Sequence, residues 1–200
     1  MRARKRLLGL LASFLLLSVP AFAGTLELSG NMVQGGLAVG RTVPGAKVSL
    51  DGMMLDVDAD GVFAIGFDRA VAQREWQIQR VEGVPQKYVS PPPEAMAAIA
   101  RATKLKEEAR KTRAGGSRFA EGFIWPATGP ISGVFGSQRY YNGEPRRPHY
   151  GVDVAAPTGT PIRAPAGGVV TLAEPDMYFE GGLVFLDHGQ GVTTLTMHMS

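Results

Sequence analysis

Between residues 24 and 85 the chain alternates apolar and polar positions with a period of two. Leu26 and Leu28 alternate with polar neighbours, as do Ala46, Val48 and Leu50, then Leu55 and Val57, then Phe63, Ile65 and Phe67. Period two is the signature of a strand with one face on a core. The runs are separated by Asp51-Gly52 and Asp60-Gly61, the dipeptides that favour a two-residue hairpin turn. The pattern predicts a small antiparallel, sandwich-like β domain over residues 24–85, shorter than the roughly 100 residues of a full sandwich. Asp56, Asp58 and Asp60 imitate the start of a calcium loop. The bidentate glutamate such a loop needs would fall at Phe67, and the flanks read as strands, so no calcium is assigned.

The period then lengthens. From about Pro92 to Arg113 the chain is rich in Ala, Glu, Lys and Arg, with Met96, Ile99, Ala102, Leu105 and Ala109 in a narrow apolar stripe. Ser90 precedes three prolines and reads as the cap. The opposite charges Lys104 and Glu108, and Glu107 and Lys111, stand four apart. Because both signs are mixed, this is a connecting helix with one face resting on a domain, within a linker over residues 90–118 that ends at the flexible Gly115-Gly116-Ser117. From residue 119 the chain returns to short strands and glycine-rich turns. Trp125 is expected in the core, Leu183 and Phe185 on a buried strand. Along residues 192–199, Leu195, Met197 and Met199 share one face, and His198 shares the other with Thr194 and Thr196.

The N-terminus changes the reading of charge. Arg2, Arg4, Lys5 and Arg6 precede an apolar run from Leu7 to Val19 and the small-x-small site Ala21-Phe22-Ala23. This is the pattern of a cleaved secretory signal over residues 1–23, and the apolar run is short of the ~20 residues of a membrane span. It predicts an exported protein of the periplasm or cell envelope, with no stable membrane insertion after cleavage. The chain carries 21 Lys+Arg against 18 Asp+Glu, but without the signal 17 face 18, so the basic isoelectric point of about 9.3 is no argument for nucleic acid. No pattern of aromatics among basic residues suggests one either. The absence of cysteine fits an exported chain that does without disulfides.

Candidate chemistry concentrates in Pro148-His149-Tyr150-Gly151-Val152-Asp153. Histidine and carboxylate are ligand types that zinc accepts. On a straight strand residues four apart lie about 13 Å from each other, so one ion can use both only if the chain bends, and Gly151 is where bending costs least. Spacing alone favours the plainer alternative of a surface histidine and a solvated aspartate.

The wider context resembles one family. Ile131-Ser132-Gly133-Val134-Phe135-Gly136-Ser137-Gln138-Arg139, His149 to Asp153, Ala164 to Val170, Leu186-Asp187-His188-Gly189 and Met197-His198-Met199 are similar, in order and spacing, to the lysostaphin-type or LytM-type zinc metallopeptidases. The resemblance runs from about Phe123 to Ser200. It implies a mainly β fold with a LytM-like catalytic domain over residues 119–200, Zn2+ as cofactor, peptide bonds of peptidoglycan as substrate, His149 and Asp153 as metal ligands, and His198 as a catalytic histidine. His188 is read as structural. Arg139, Tyr140, Tyr141 and Asn142 are expected to line the groove. Two departures stand out. The family's third ligand, in a later His-x-His, has no counterpart among the three histidines at 149, 188 and 198, so the catalytic domain reads as incomplete. Thr196 stands where the family usually has an aromatic residue. The competing reading is a non-catalytic LytM-like regulator of other cell-wall hydrolases. The presence of His149, Asp153 and His198 favours the enzyme.

The signal reading predicts that N-terminal sequencing of protein from the envelope fraction starts at Gly24. A mature protein that retains Met1 contradicts it.

Overall fold

A computed structural model describes residues 25–67 and 76–199. The signal segment over residues 1–23 lies outside them. The architecture is mainly β, as the alternation predicts. In the N-terminal part β1 (Glu27–Gly30), β2 (Leu37–Arg41) and β5 (Val62–Gly66) form an antiparallel sheet in the order β1-β2-β5. Its core is Ala38, Phe63 and Ile65, with Val48, Leu55, Val57 and Phe67 packed against them. The Asp51-Gly52 turn joins β3 (Ser49–Leu50) to β4 (Met53–Met54), both turn residues having the positive φ that a tight hairpin requires. Asp60-Gly61 also forms a turn. There the Asp58 carboxylate accepts the backbone N–H of Asp60 and of Val62, at 3.0 and 2.7 Å. Leu26 and Leu28 depart from expectation: both are exposed, because β1 is an edge strand with nothing packed on its apolar side among the described residues.

The chain then crosses to the C-terminal part. Strand β6 (Ile78–Val81) pairs in parallel with β8 (Gln138–Tyr141), and β9 (Glu144–Pro145) lies on the other side of β8. A short helix α1 (Gln86–Val89) follows, and the connecting helix α2 spans Met96–Lys111. Ser90 does not cap it. Pro92 is extended, a single 3-10 turn starts at Pro93, and the α-helix begins only after Ala95, so Ser90 ends α1 instead. The apolar stripe does rest on the C-terminal part: Ala102 packs on Met177 and Leu183, with Leu105, Leu172 and Leu195 around them. Met96 lies ahead of that contact and is exposed.

The C-terminal part is built on β11 (Val169–Met177), β12 (Gly181–Asp187) and β13 (Thr193–Met199), antiparallel in that order. Leu183 and Phe185 are buried on β12 as expected. A second pairing, of β7 (Ile131–Gly133) with β10 (Asp153–Val154), carries the candidate chemistry. Trp125 is not in the core; it is 63% exposed. Phe119, in the 3-10 turn before it, takes the buried place, and residues 123–125 run over the surface, tied down where the Ile124 N–H donates to the Pro165 carbonyl at 2.8 Å.

Asp187 locks the linker to the sheet. Its buried carboxylate accepts the N–H of Ala114 and of Gly189, both at 2.8 Å. Burial pushes this carboxyl up, but the two N–H donors, the Thr112 hydroxyl and the Arg113 charge outweigh it and hold the group below its ordinary value. A depressed folded value means stability that is present above the unfolded pKa near 3.9 and is lost as pH falls through the folded one. Asp187→Ala is therefore expected to cost about 2–4 kcal/mol at pH 7, with a gap to wild type that narrows below about pH 4. Equal denaturant midpoints at pH 7 contradict this.

Candidate functional site

His149 and Asp153 meet despite their spacing. The chain bends at Gly151, and His149 Nε2 stands 3.2 Å from Asp153 Oδ1. Both ends of the bend are pinned. The His149 N–H donates to the Ser137 carbonyl at 2.9 Å, and the Gly136 N–H donates to the His149 carbonyl at 2.6 Å. Asp153 is fixed by the pairing of β10 with β7, opposite Gly133. Gly133 is required there by close approach. A Cβ on it would lie 2.2 Å from Asp153 Oδ2 and 2.6 Å from an Arg139 guanidinium nitrogen.

The hydrogen bonds fix which ring nitrogen is available. His149 Nδ1 lies 3.2 Å from the Val134 carbonyl, which can only accept, so Nδ1 carries the proton. Nε2 then turns a lone pair toward Asp153 Oδ1. Two lone pairs at that separation require a proton or a cation between them. Zinc bonds of about 2.0–2.2 Å at a tetrahedral angle put two donor atoms about 3.4 Å apart. The pair thus fits a shared ion, and the backbone carbonyl on the second ring nitrogen is the usual orienting partner of a metal-binding histidine. Arg139 holds the other oxygen, Oδ2, through an ion pair with its side chain largely buried. Among the described residues no group of three or more His, Cys, Asp or Glu side chains could hold a metal, so a third protein donor is not supplied by them.

Asp153, Arg139 and His198 line one cleft of about 680 Å³, walled by Pro126, residues 156–160 and the end of β13. His198 comes to it in an unexpected way. Opposite Leu183 strand β13 has one residue too many: Gly182 pairs with Met199 but Val184 pairs with Thr196. The extra residue is a β-bulge at Met197–His198, and His198 takes the left-handed φ of 60°. The strict two-face alternation read from the sequence therefore fails at this point, and Thr196, Met197, His198 and Met199 all reach the cleft. The His198 N–H donates to the Glu180 carbonyl at 2.7 Å, and the Glu180 side chain pairs with Lys106 of α2.

His188 is elsewhere. It is fully buried, with Nδ1 2.6 Å from the Gly167 carbonyl, Nε2 2.8 Å from the Thr194 hydroxyl and its ring edge-on to Phe123. Both nitrogens are occupied by structural bonds. Of the four groove residues expected before His149, only Arg139 lines the cleft. Tyr140 lies under Arg80 and Tyr141 under Arg146, while Asn142 exchanges hydrogen bonds with Val84 at 3.0 and 2.8 Å. Gln79, which sequence reasoning missed, touches the site through Arg139 Nε at 2.9 Å. No local signal marks it, since it stands 60 residues from its partner.

Residues 147–200 match Peptidase family M23. Over 70 residues the chain is 41% identical to the DD-carboxypeptidase/endopeptidase Mpg of Neisseria meningitidis serogroup B and of Neisseria gonorrhoeae, a match covering 35% of this chain and 16% of those proteins. It is 30% identical over 112 residues to the cell division protein DipM of Caulobacter vibrioides, covering 56% of this chain and 17% of that protein. The matches thus span about a sixth of these relatives' length. A crystal structure from Pseudomonas aeruginosa described under peptidase M23 superposes with a TM-score of 0.56 at 28% identity, covering 84% of this chain and 74% of that one.

The bulge makes a stability prediction. His198→Gly and His198→Ala both remove the imidazole, but a left-handed backbone costs an L-residue about 1–2 kcal/mol that glycine avoids. The glycine variant should be the more stable of the two by about that amount. In an ordinary strand alanine would win by about 0.5–1 kcal/mol, and that order in thermal melts contradicts the bulge.

Proposed function

From the premise that the C-terminal part of the chain is of the M23 (LytM-type) peptidase kind, we propose that the protein is a zinc-dependent endopeptidase of the cell envelope that hydrolyses peptide bonds of peptidoglycan. The observation that carries this reading is the approach of His149 Nε2 to Asp153 Oδ1, with the ring tautomer set by the Val134 carbonyl. His149 and Asp153 would hold the ion; the chemistry it supplies when bound is Lewis-acid polarisation of the scissile carbonyl and acidification of water.

The chain's own residues do the rest. The cleft lined by Asp153 would receive an extended peptide between residues 156–160 and the end of β13. His198, on the same cleft wall, donates a ring N–H to the oxygen on which negative charge grows, a contact that strengthens in the transition state. Its left-handed backbone and the Glu180 carbonyl fix the direction of approach. Arg139 neutralises Asp153 Oδ2 and leaves Oδ1 facing His149. The likeness to Mpg and DipM, together with the signal pattern at residues 1–23, supports an exported site of action. No helix among the described residues is long and apolar enough to cross a membrane.

Donor count sets the expected rate. Catalytic zinc sites use three protein ligands and one open position. With the two donors described, the 200-residue chain should bind zinc weakly and turn over slowly. The same count supports a second reading, a non-catalytic LytM-like regulator of another hydrolase, which has no use for an intact His149–Asp153 pair.

The discriminating assay is release of muropeptides from purified peptidoglycan with and without added zinc. Slow, zinc-dependent release that falls by at least about a hundredfold in His149→Ala supports the peptidase. No release by the chain alone, with stimulation of a second hydrolase that His149→Ala leaves unchanged, supports the regulator.

A further inference from the structure

We propose that Gln79, on the strand that crosses from the N-terminal part, is a positioning residue for the metal-binding carboxylate of Asp153. Its amide is used at both ends. The side-chain oxygen accepts the Arg139 Nε–H at 2.9 Å, and the side-chain N–H donates to the Ser132 carbonyl at 3.1 Å. Each of these partners leads to Asp153 by a different route. Arg139 carries the ion pair to Oδ2, while Ser132 lies on β7, the strand whose Gly133 pairs with Asp153. The Ser132 hydroxyl also reaches the Asp153 carbonyl at 3.5 Å. One glutamine therefore bridges the side-chain support and the backbone support of the same aspartate.

The need for such a bridge follows from the local geometry. Strands β7 and β10 are three and two residues long, with a register shift between Asp153 and Val154. A ladder that short does not fix a carboxylate by itself. An arginine side chain has many rotamers, and its fork orients a carboxylate only when the fork is itself held. Gln79 occupies the Nε–H of Arg139, so the terminal nitrogen is left aimed at Oδ2 and Oδ1 is left facing His149. Gln79 is placed by the parallel pairing of β6 with β8, directly across from Arg139. It lies outside residues 147–200, the segment that matches Peptidase family M23. The upstream part of the chain thus enters the site as a support for one ligand.

The inference rests on the zinc reading above and is tested by zinc affinity rather than turnover. Zinc is titrated into the full 200-residue chain by calorimetry, for wild type, Gln79→Ala and Val81→Ala, well below each melting temperature as set by circular dichroism. Val81 is half-buried on the same strand and stands across from Tyr141 rather than Arg139, so its truncation loosens β6 without removing the bridge. Outer partners of metal ligands are worth about 10–100-fold in affinity. Gln79→Ala should weaken zinc binding about tenfold or more, while Val81→Ala stays within about twofold of wild type. Unchanged affinity in Gln79→Ala overturns the positioning role, as does an equal loss in both variants, which would mean general loosening. No zinc binding by the wild-type chain overturns the metal reading itself and with it this role.

Discussion

The ion pair between a largely buried guanidinium and a half-exposed carboxylate that also faces an imidazole is the constraint around which the C-terminal part is arranged. The Asp153 side chain is 38% exposed and that of Arg139 only 15%. At the depth of Arg139 a charge needs a partner and a defined direction, because an unpaired one is costly. Arg139 takes one oxygen and His149 faces the other. The neighbouring backbone follows from keeping those three groups in register: the bend at Gly151, the bare Cα of Gly133 where a Cβ would collide, and the Gly136–His149 and Ser137–His149 backbone bonds.

The elements that carry the site are too short to stand alone. What steadies them comes from the first half of the chain. Strand β6 runs alongside β8, Val84 and Asn142 exchange hydrogen bonds, and an Arg146 guanidinium N–H donates to the Val89 carbonyl at 2.6 Å. Helix α2 closes the other side, where Ala102 packs on Met177 and Leu183, Lys106 pairs with Glu180, and Asp187 takes the Ala114 N–H. The Lys106–Glu180 pair sits one hydrogen bond from the His198 backbone. The linker therefore braces the sheet and the cleft wall together, beyond resting one apolar face on a domain as its stripe predicts.

Local patterns in the sequence are legible where the physics is local. The Asp51-Gly52 hairpin, the buried faces of Phe63 and Ile65 and of Leu183 and Phe185, and the stripe of α2 each follow from a period and a turn residue. The closeness of His149 and Asp153 was legible only through the family resemblance, since the spacing alone favours a surface histidine and a solvated aspartate. Other features were not legible for definite reasons. Trp125 is exposed while Phe119, six residues earlier, is the buried aromatic, a choice that no pattern of single residues reveals. The bulge at Met197–His198 breaks the period of two, and nothing in Thr194 to Met199 marks the extra residue. Ser90 looks like a cap, but the prolines after it hold the chain extended and push the helix start beyond its reach. Gln79 became part of the site only through a parallel pairing between strands 60 residues apart.

The central claim is that His149, through Nε2, and Asp153 share one ion while Nδ1 keeps its proton on the Val134 carbonyl. Nitrogen-15 NMR of the three histidine rings during a zinc titration tests it most directly. The account predicts that the His149 Nε2 resonance moves with added zinc, that its Nδ1 remains a protonated nitrogen, and that the buried His188 ring does not respond. A His149 ring that is unmoved at saturating zinc, or one that binds through Nδ1, contradicts the account.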